Sequence, residues 1–280
     1  MLKSISCFAA GLLGLALMLN LTHAAETKPL RVLLITGGCC HDYANQKEIL
    51  KKGLEARANV TVDQSHSDSG STKPPLAIYG NADYAKGYDV VIHDECAADI
   101  NDPATIKAVI APHRAGTPGV NLHCGMHCYR IGNPNEPATA GSERAMWFDY
   151  LGLQSSGHGP QLPIAITFTA RNQPLTQGLA DWTTINEELY NNIQILPSAT
   201  PLARGKQITK NKDGTPKENE TVVAWFNDYQ GTRVFSTTIG HNNATVEDAR
   251  YLDLVTRGLL WACGKLDDSG IPKAGYGPKQ

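Results

Sequence analysis

The chain lacks several marks of common functional classes. Its 25 basic residues are slightly outnumbered by 27 acidic ones, a formal net charge of −2. There is therefore no basic surplus to neutralise phosphate backbones, which argues against nucleic-acid binding. Aromatic residues make up only 7 % of the chain, which argues against an aromatic-lined polymer-binding module. No C-x-x-C pair occurs, and seven cysteines in 280 residues are too few and too scattered for a disulfide scaffold. Neither a P-loop nor a G-x-G-x-x-G fingerprint is present. After the first two dozen residues no apolar run is long enough to span a bilayer. There is no internal repeat and no second compositional regime, so one domain is expected. What is present is an apolar fraction of 41 % against 19 % charged, enough for a real core and too much for wholesale disorder.

The first residues read as a secretory signal peptide spanning 1–24. Lys3 is the short positive region, Ile5 to Leu21 is apolar apart from Ser6 and Asn20, and Thr22-His23-Ala24-Ala25 resembles a small-residue cleavage site. The expected location is periplasmic or secreted, with no membrane attachment after cleavage. Six cysteines then enter an oxidising compartment: Cys39, Cys40, Cys96, Cys124, Cys128 and Cys263. Cys40, Cys96 and Cys124 or Cys128 follow strands expected to be neighbours, so at least one disulfide is expected among them. Vicinal Cys39 and Cys40 are expected to take other partners or stay reduced.

Leu30 to Thr36 (LRVLLIT), Tyr88 to His93 (YDVVIH) and Pro118 to His123 (PGVNLH) have the continuous apolar character of strands buried on both faces. Helical spacing follows over Asn45 to Ala58, with Asn45 as cap, and over Asp102 to Ala111, where Pro103 suits the first turn. A short helix is expected over Ser142 to Leu151. Strand–helix alternation of this kind predicts a doubly wound parallel sheet. The second half gives a strand over Leu162 to Thr169, a short strand or turn over Glu187 to Ile195 and a charged loop over Gly205 to Glu220. A hairpin is expected about Asn227 to Gly231, and an amphipathic helix over Glu247 to Cys263. The fold expected is thus α/β and flavodoxin-like, mainly parallel with an added β hairpin, over 25–265, and 266–280 reads as a flexible tail.

Ligands of an open parallel sheet bind beyond the carboxyl ends of its strands. His41-Asp42 follows the first strand, His93-Asp94-Glu95 ends the third, His123-Cys124-Gly125-Met126-His127 follows the fourth, and Gly240-His241-Asn242 follows the last. Histidines at i and i+4 share a helix face, so His123 and His127 suit a metal. A structural turn, or acid/base chemistry, fits them as well. The same stretch has the strand–turn shape of a nucleophile elbow, with Cys124 near the nucleophile position. An exported cysteine among five others is better explained by oxidation than by nucleophilic catalysis. Glu188 and Tyr190 share one face of a strand. His158, between Gly157 and Gly159, sits on a loop able to close over a site.

In order and spacing these segments resemble the trehalose-utilisation (ThuA-like) family, within the class I glutamine-amidotransferase-like fold. The resemblance is carried by Val32 to Ile35 with Thr36-Gly37-Gly38 and His41-Asp42, Tyr88 to Val91, Gly119 to His123, Gln173 to Leu179, Glu187 to Tyr190, and Ile239 to Asn242. The family pattern puts a histidine where an amidotransferase has its elbow cysteine, and His123 matches it. Gln173-Pro174 stands where the family usually has His-Pro, and Thr117-Pro118-Gly119 where it has three glycines. Cys39, Cys40, Cys124 and Cys128 look like additions. The resemblance implies a role in sugar catabolism, on a disaccharide or glycoside that includes oxidised (3-keto) forms. The catalytic candidates are His123 and Glu188. The substrate-binding candidates are His41, Asp42, Asp94, Tyr190, His158 and Asn242. His41, His123, His127 and His241 are the candidate ligands of a divalent metal, zinc or manganese. A non-catalytic sugar-binding protein using the same cleft is the alternative. The expected partner is a small-molecule sugar, and a homo-oligomer is compatible with the sequence.

Overall fold

The computed structural model describes residues 27–279; the expected signal peptide lies outside them. β1 (Leu30–Gly38) is buried along nearly its whole length, because helices cover both faces of the sheet around it. It pairs in parallel with β2 (Val60–Ser67) on one side and β3 (Val90–Cys96) on the other. β4 (Gly119–Leu122) continues the parallel set beside β3. The connecting helices are α1 (Tyr43–Arg57) and α2 (Pro103–Arg114). Asp42 caps α1 through the Asn45 N–H, so the helix starts before Asn45, not at it. Asp102 caps α2 with Pro103 in the first turn. α3 (Met146–Leu151) follows, ending at Gly152 in a left-handed conformation.

The second half departs from the expectation of a single added hairpin. β5 (Leu153–Phe168), β6 (Trp182–Ile195), β7 (Ala199–Lys210), β8 (Pro216–Tyr229) and β9 (Thr232–Thr237) complete one nine-stranded sheet, in the order β2-β1-β3-β4-β9-β8-β7-β5-β6. β9 is parallel to β4, and every pairing beyond it is antiparallel. The sheet is therefore half parallel and half antiparallel, and the expectation of a mainly parallel sheet is corrected to mixed α/β. The charged stretch 205–220 is a β7–β8 hairpin, not a loop. Lys206 and Glu218 pair across it at 2.8 Å, and Arg204 pairs with Glu220.

Two helices follow β9, the short α4 (Asn243–Val246) and the longer α5 (Ala249–Ala262). α1 and α5 cover one face of the parallel half, where Leu50, Leu54, Leu254 and Leu259 meet Val32, Leu34, Ile92, Val120 and Phe235. α2 and α3 cover the other, with Ile106, Val109, Trp147 and Tyr150 against Val234. Residues 266–276, read from sequence as tail, fold back on the sheet edge. Leu266 bridges Pro272, the Asn59 N–H donates to Tyr276 O at 3.1 Å, and its side-chain amide donates to Gly275 O at 2.9 Å.

Candidate functional site

β1 and β3 are neighbours whose connections leave in opposite directions, which opens a crevice at their carboxyl ends. β1 runs into it through Gly37 and Gly38, at φ +121° and +106°. A Cβ on Gly37 would lie 2.3 Å from Ser67 O, and one on Gly38 2.2 Å from Cys96 O. Only glycine lets the chain pass between the ends of β2 and β3, and this passage delivers His41. His123 leaves β4 at φ +39°, in a short 3₁₀ turn spanning His123–His127. Gly240, at φ +133°, brings the segment after β9 close to His123, where a Cβ would stand 3.4 Å from His123 Cβ and 2.9 Å from the Tyr251 hydroxyl.

These turns bring three imidazoles together. The ring centres of His41 and His123 are 4.7 Å apart, those of His41 and His241 4.8 Å, and those of His123 and His241 5.5 Å. One nitrogen of each lies within 4.8 Å of the other two. His41 Nδ1, His123 Nε2 and His241 Nδ1 are buried and make no hydrogen bond. Buried polar atoms are ordinarily paired, so three converging unpaired nitrogens are a donor set without its acceptor. The other nitrogen of His123, Nδ1, donates to Thr238 O at 2.7 Å, which leaves Nε2 with its lone pair toward the crevice.

β6 supplies the acid. Glu188 Oε2 is 3.5 Å from His123 Nε2, and Oε1 is 3.3 Å from His241 Nδ1 and 3.6 Å from His158 Nδ1. Gln161 donates to Glu188 at 3.3 Å. Adjacent Glu187 has a different task. Its fully buried carboxylate accepts backbone N–H bonds from His241 at 3.1 Å, Asn242 at 3.3 Å and Gly240 at 3.4 Å. It fixes the loop that carries His241 and is a positioning residue, one to which strand alternation alone gave no role. Tyr190 packs its ring against His123 at 5.1 Å and His127 at 4.1 Å.

The electrostatics follow from this crowding. Burial, helped by the neighbouring His123 and His241, lowers His41 to about 3, so it is neutral across the physiological range. Burial works to raise Glu188, but the imidazoles of His123 and His241 outweigh it and hold the carboxyl well below its ordinary range. The Glu188 carboxylate raises His241 in turn. The centre therefore sets an anionic carboxylate and the neutral His41 imidazole beside His123 and His241, a set of ligand atoms suited to a divalent cation of the zinc or manganese type.

The remaining candidates are placed differently. His127 is apart from the three imidazoles: its Nε2 is within 2.8 Å of Ser155 Oγ, and burial followed by Arg130 pushes it well below the usual histidine value. A 3₁₀ turn advances about 120° per residue, so residues four apart diverge by about 120° instead of sharing a face, and the expected metal role for His127 is corrected on that ground. His158 sits in β5 opposite Tyr190, not on a closing loop. Asp42 is an exposed helix cap that also accepts from Asn243 Nδ2 at 2.7 Å. Asp94 is buried outside the imidazole group, and burial followed by Glu95 pushes its carboxyl well above the ordinary range. Asn242 donates to Asn186 O at 2.6 Å. His41, Asp42, Ile185, His241 and Asn242 line an open cleft of about 640 Å³ over the centre. Cys124 turns away from it, with its Sγ 2.7 Å from Cys96 Sγ, so no cysteine stands at an amidotransferase nucleophile position.

The mixed α/β sheet, with His123 opening the turn after β4, fits a glutamine-amidotransferase-like fold. The family described as ThuA, trehalose utilisation, matches residues 31–262, and the chain belongs to it. A ThuA-like protein from Parabacteroides merdae ATCC 43184 is similar with a TM-score of 0.61 and 20 % identity, over 90 % of this chain and 98 % of that one. A ThuA-like protein from Bacteroides uniformis ATCC 8492 is similar with a TM-score of 0.59 and 14 % identity, over 86 % of this chain and 94 % of that one. No curated protein matches the sequence. Among the described residues no helix is long and apolar enough to cross a membrane.

Proposed function

We propose that this protein is an exported carbohydrate-processing enzyme that acts on a disaccharide or glycoside, including oxidised (3-keto) forms, at a cation held by His41, His123 and His241. The observation that carries the reading is the set of three buried, unpaired imidazole nitrogens within 4.8 Å of one another. A divalent cation there would polarise a substrate oxygen. His123 presents Nε2 because Thr238 fixes its tautomer. His41 is already neutral and needs no deprotonation to act as a ligand. Glu188, 3.5 Å from His123 Nε2 and 3.3 Å from His241 Nδ1, is the group placed to act as acid/base on the substrate or on water. The cleft above, walled by Asp42, Ile185 and Asn242, offers hydroxyl partners for a sugar ring, and half-exposed His158 stands beside Glu188. The buried carboxylate–histidine pair favours catalysis over a passive sugar-binding role, which needs no such pair.

The test uses protein purified without a histidine tag. Metal analysis should give about one zinc or manganese per chain, and a screen of native and oxidised disaccharides should show turnover. His123→Ala should lose the metal and at least a hundredfold of the turnover, while its melting temperature stays close to wild type. Wild-type turnover and metal content in that variant would mean that His123 is structural.

A further inference from the structure

A second cluster lies beside the imidazoles and has no part in the reading above. Cys39 and Cys40 are joined in a vicinal disulfide, contrary to the expectation that they would not bridge each other. Cys96, at the end of β3, puts its Sγ 3.6 Å from Cys39 Sγ. Cys124, in the turn after β4, puts its Sγ 2.7 Å from Cys96 Sγ on the far side. Cys40 is exposed, Cys39 half-buried, and Cys96 and Cys124 buried. The four sulfurs thus run in sequence from solvent to interior. Cys128 is not part of the row: its Sγ donates to Glu95 O at 3.0 Å and accepts from the Ala97 N–H at 3.0 Å. The disulfide expected among Cys40, Cys96 and Cys124 or Cys128 is absent: Cys40 is bonded to Cys39, and Cys96, Cys124 and Cys128 are free thiols.

We propose that these four cysteines form a thiol–disulfide exchange site, in which the bond migrates between Cys39–Cys40 at the surface and Cys96–Cys124 inside. The route follows the sulfur contacts. Cys96 gives up its proton and attacks Cys39 Sγ, the Cys39–Cys40 bond breaks, and Cys40 leaves as a thiolate that takes up a proton. Cys124 then gives up its proton and attacks Cys96 Sγ; the Cys39–Cys96 bond breaks, and Cys39 leaves and is protonated. One disulfide and two thiols are present before and after, so the exchange needs no oxidant or reductant. The two forms differ in what they tether. The surface bond constrains the turn just before His41, where Cys40 is held at φ +82°. The interior bond ties β3 to the turn just after His123. Exposed Cys40 is where a small external thiol or disulfide would exchange with the site.

The test is linkage mapping of the full chain. Protein free of added thiol and oxidant is held at pH 8, quenched in acid, alkylated, digested and read by mass spectrometry, using Cys128→Ser as the background so that linkage to Cys124 is unambiguous. The expected result is both linkages, Cys39–Cys40 and Cys96–Cys124, with an unchanged free-thiol count. Adding Cys124→Ser should stop the exchange halfway, raising the Cys39–Cys96 linkage at least tenfold and leaving Cys40 alkylated; Cys124→Ala repeats the measurement should the serine variant not fold. Recovery of Cys96 solely as a free thiol, with no Cys96–Cys124 linkage in the first background and no Cys39–Cys96 linkage in the second, overturns the proposal.

Discussion

His41, His123 and His241 were legible one by one because each ends a strand whose apolar run is easy to recognise. Their convergence followed from the parallel order of β1, β4 and β9. The role of Glu187 was not legible: it depends on which loop N–H groups fold over β6, and Glu187 to Tyr190 are buried in succession because both strand faces are covered there. Three histidines lowered by burial, His41, His113 and His127, also set the acid response of the fold, and raised His241 opposes them. Burial lowers His41 to about 3, and burial with His93 lowers His113 to about 3. The unfolded chain binds a proton on each below about pH 6.5, and the folded chain does not until about 3. Stability should therefore fall as pH falls, by about 1.4 kcal/mol per pH unit for each fully titrating group. The depressed Glu188 acts in the same direction, but only below its unfolded value near 4.5. Urea unfolding in EDTA between pH 6 and 5 should show this slope, and His41→Asn should reduce it by about one proton's worth. An unchanged slope would mean that His41 is not held neutral.

At the scale of elements, apolar runs and caps marked β1, β3, β4 and α2 well, because buried parallel strands and capped helices leave strong local signals. The facing ends of β7 and β8, Gly205 to Glu220, were read as loop for a physical reason. Their charges alternate along exposed strand faces and are satisfied only across the hairpin, by pairs such as Lys206–Glu218, which a linear reading does not see. α5 carries a sharper test of packing. Gly258 lies in the helix interior, where alanine ordinarily stabilises by about 1 kcal/mol. Here an added Cβ would lie 2.3 Å from the Phe235 ring, in the centre of β9. Overpacking of a fixed core typically costs about 1–3 kcal/mol, so it should outweigh the helical gain. Gly258→Ala should lower the urea midpoint with little change in slope. A raised midpoint would show that the α5–β9 contact can relax.

For the molecule as a whole, the centre sits at the seam between two kinds of sheet. The parallel half delivers the three histidines from the ends of β1, β4 and β9, and the antiparallel half brings Glu188 back from β6, the far edge strand. Neither half holds the full set. Glu188 was named from the sequence, but its reach to the histidines depends on this division: β6 comes to the crevice only after the long antiparallel extension folds over it. The central claim is that the three imidazoles hold a cation. Anomalous diffraction at the zinc and manganese edges, from crystals of untagged protein, tests it most directly. The account predicts one peak about 2.0–2.2 Å from a nitrogen of each of His41, His123 and His241. A crystal grown with either metal present that shows no peak there, or a peak on the Cys39–Cys96–Cys124 row instead, would contradict it.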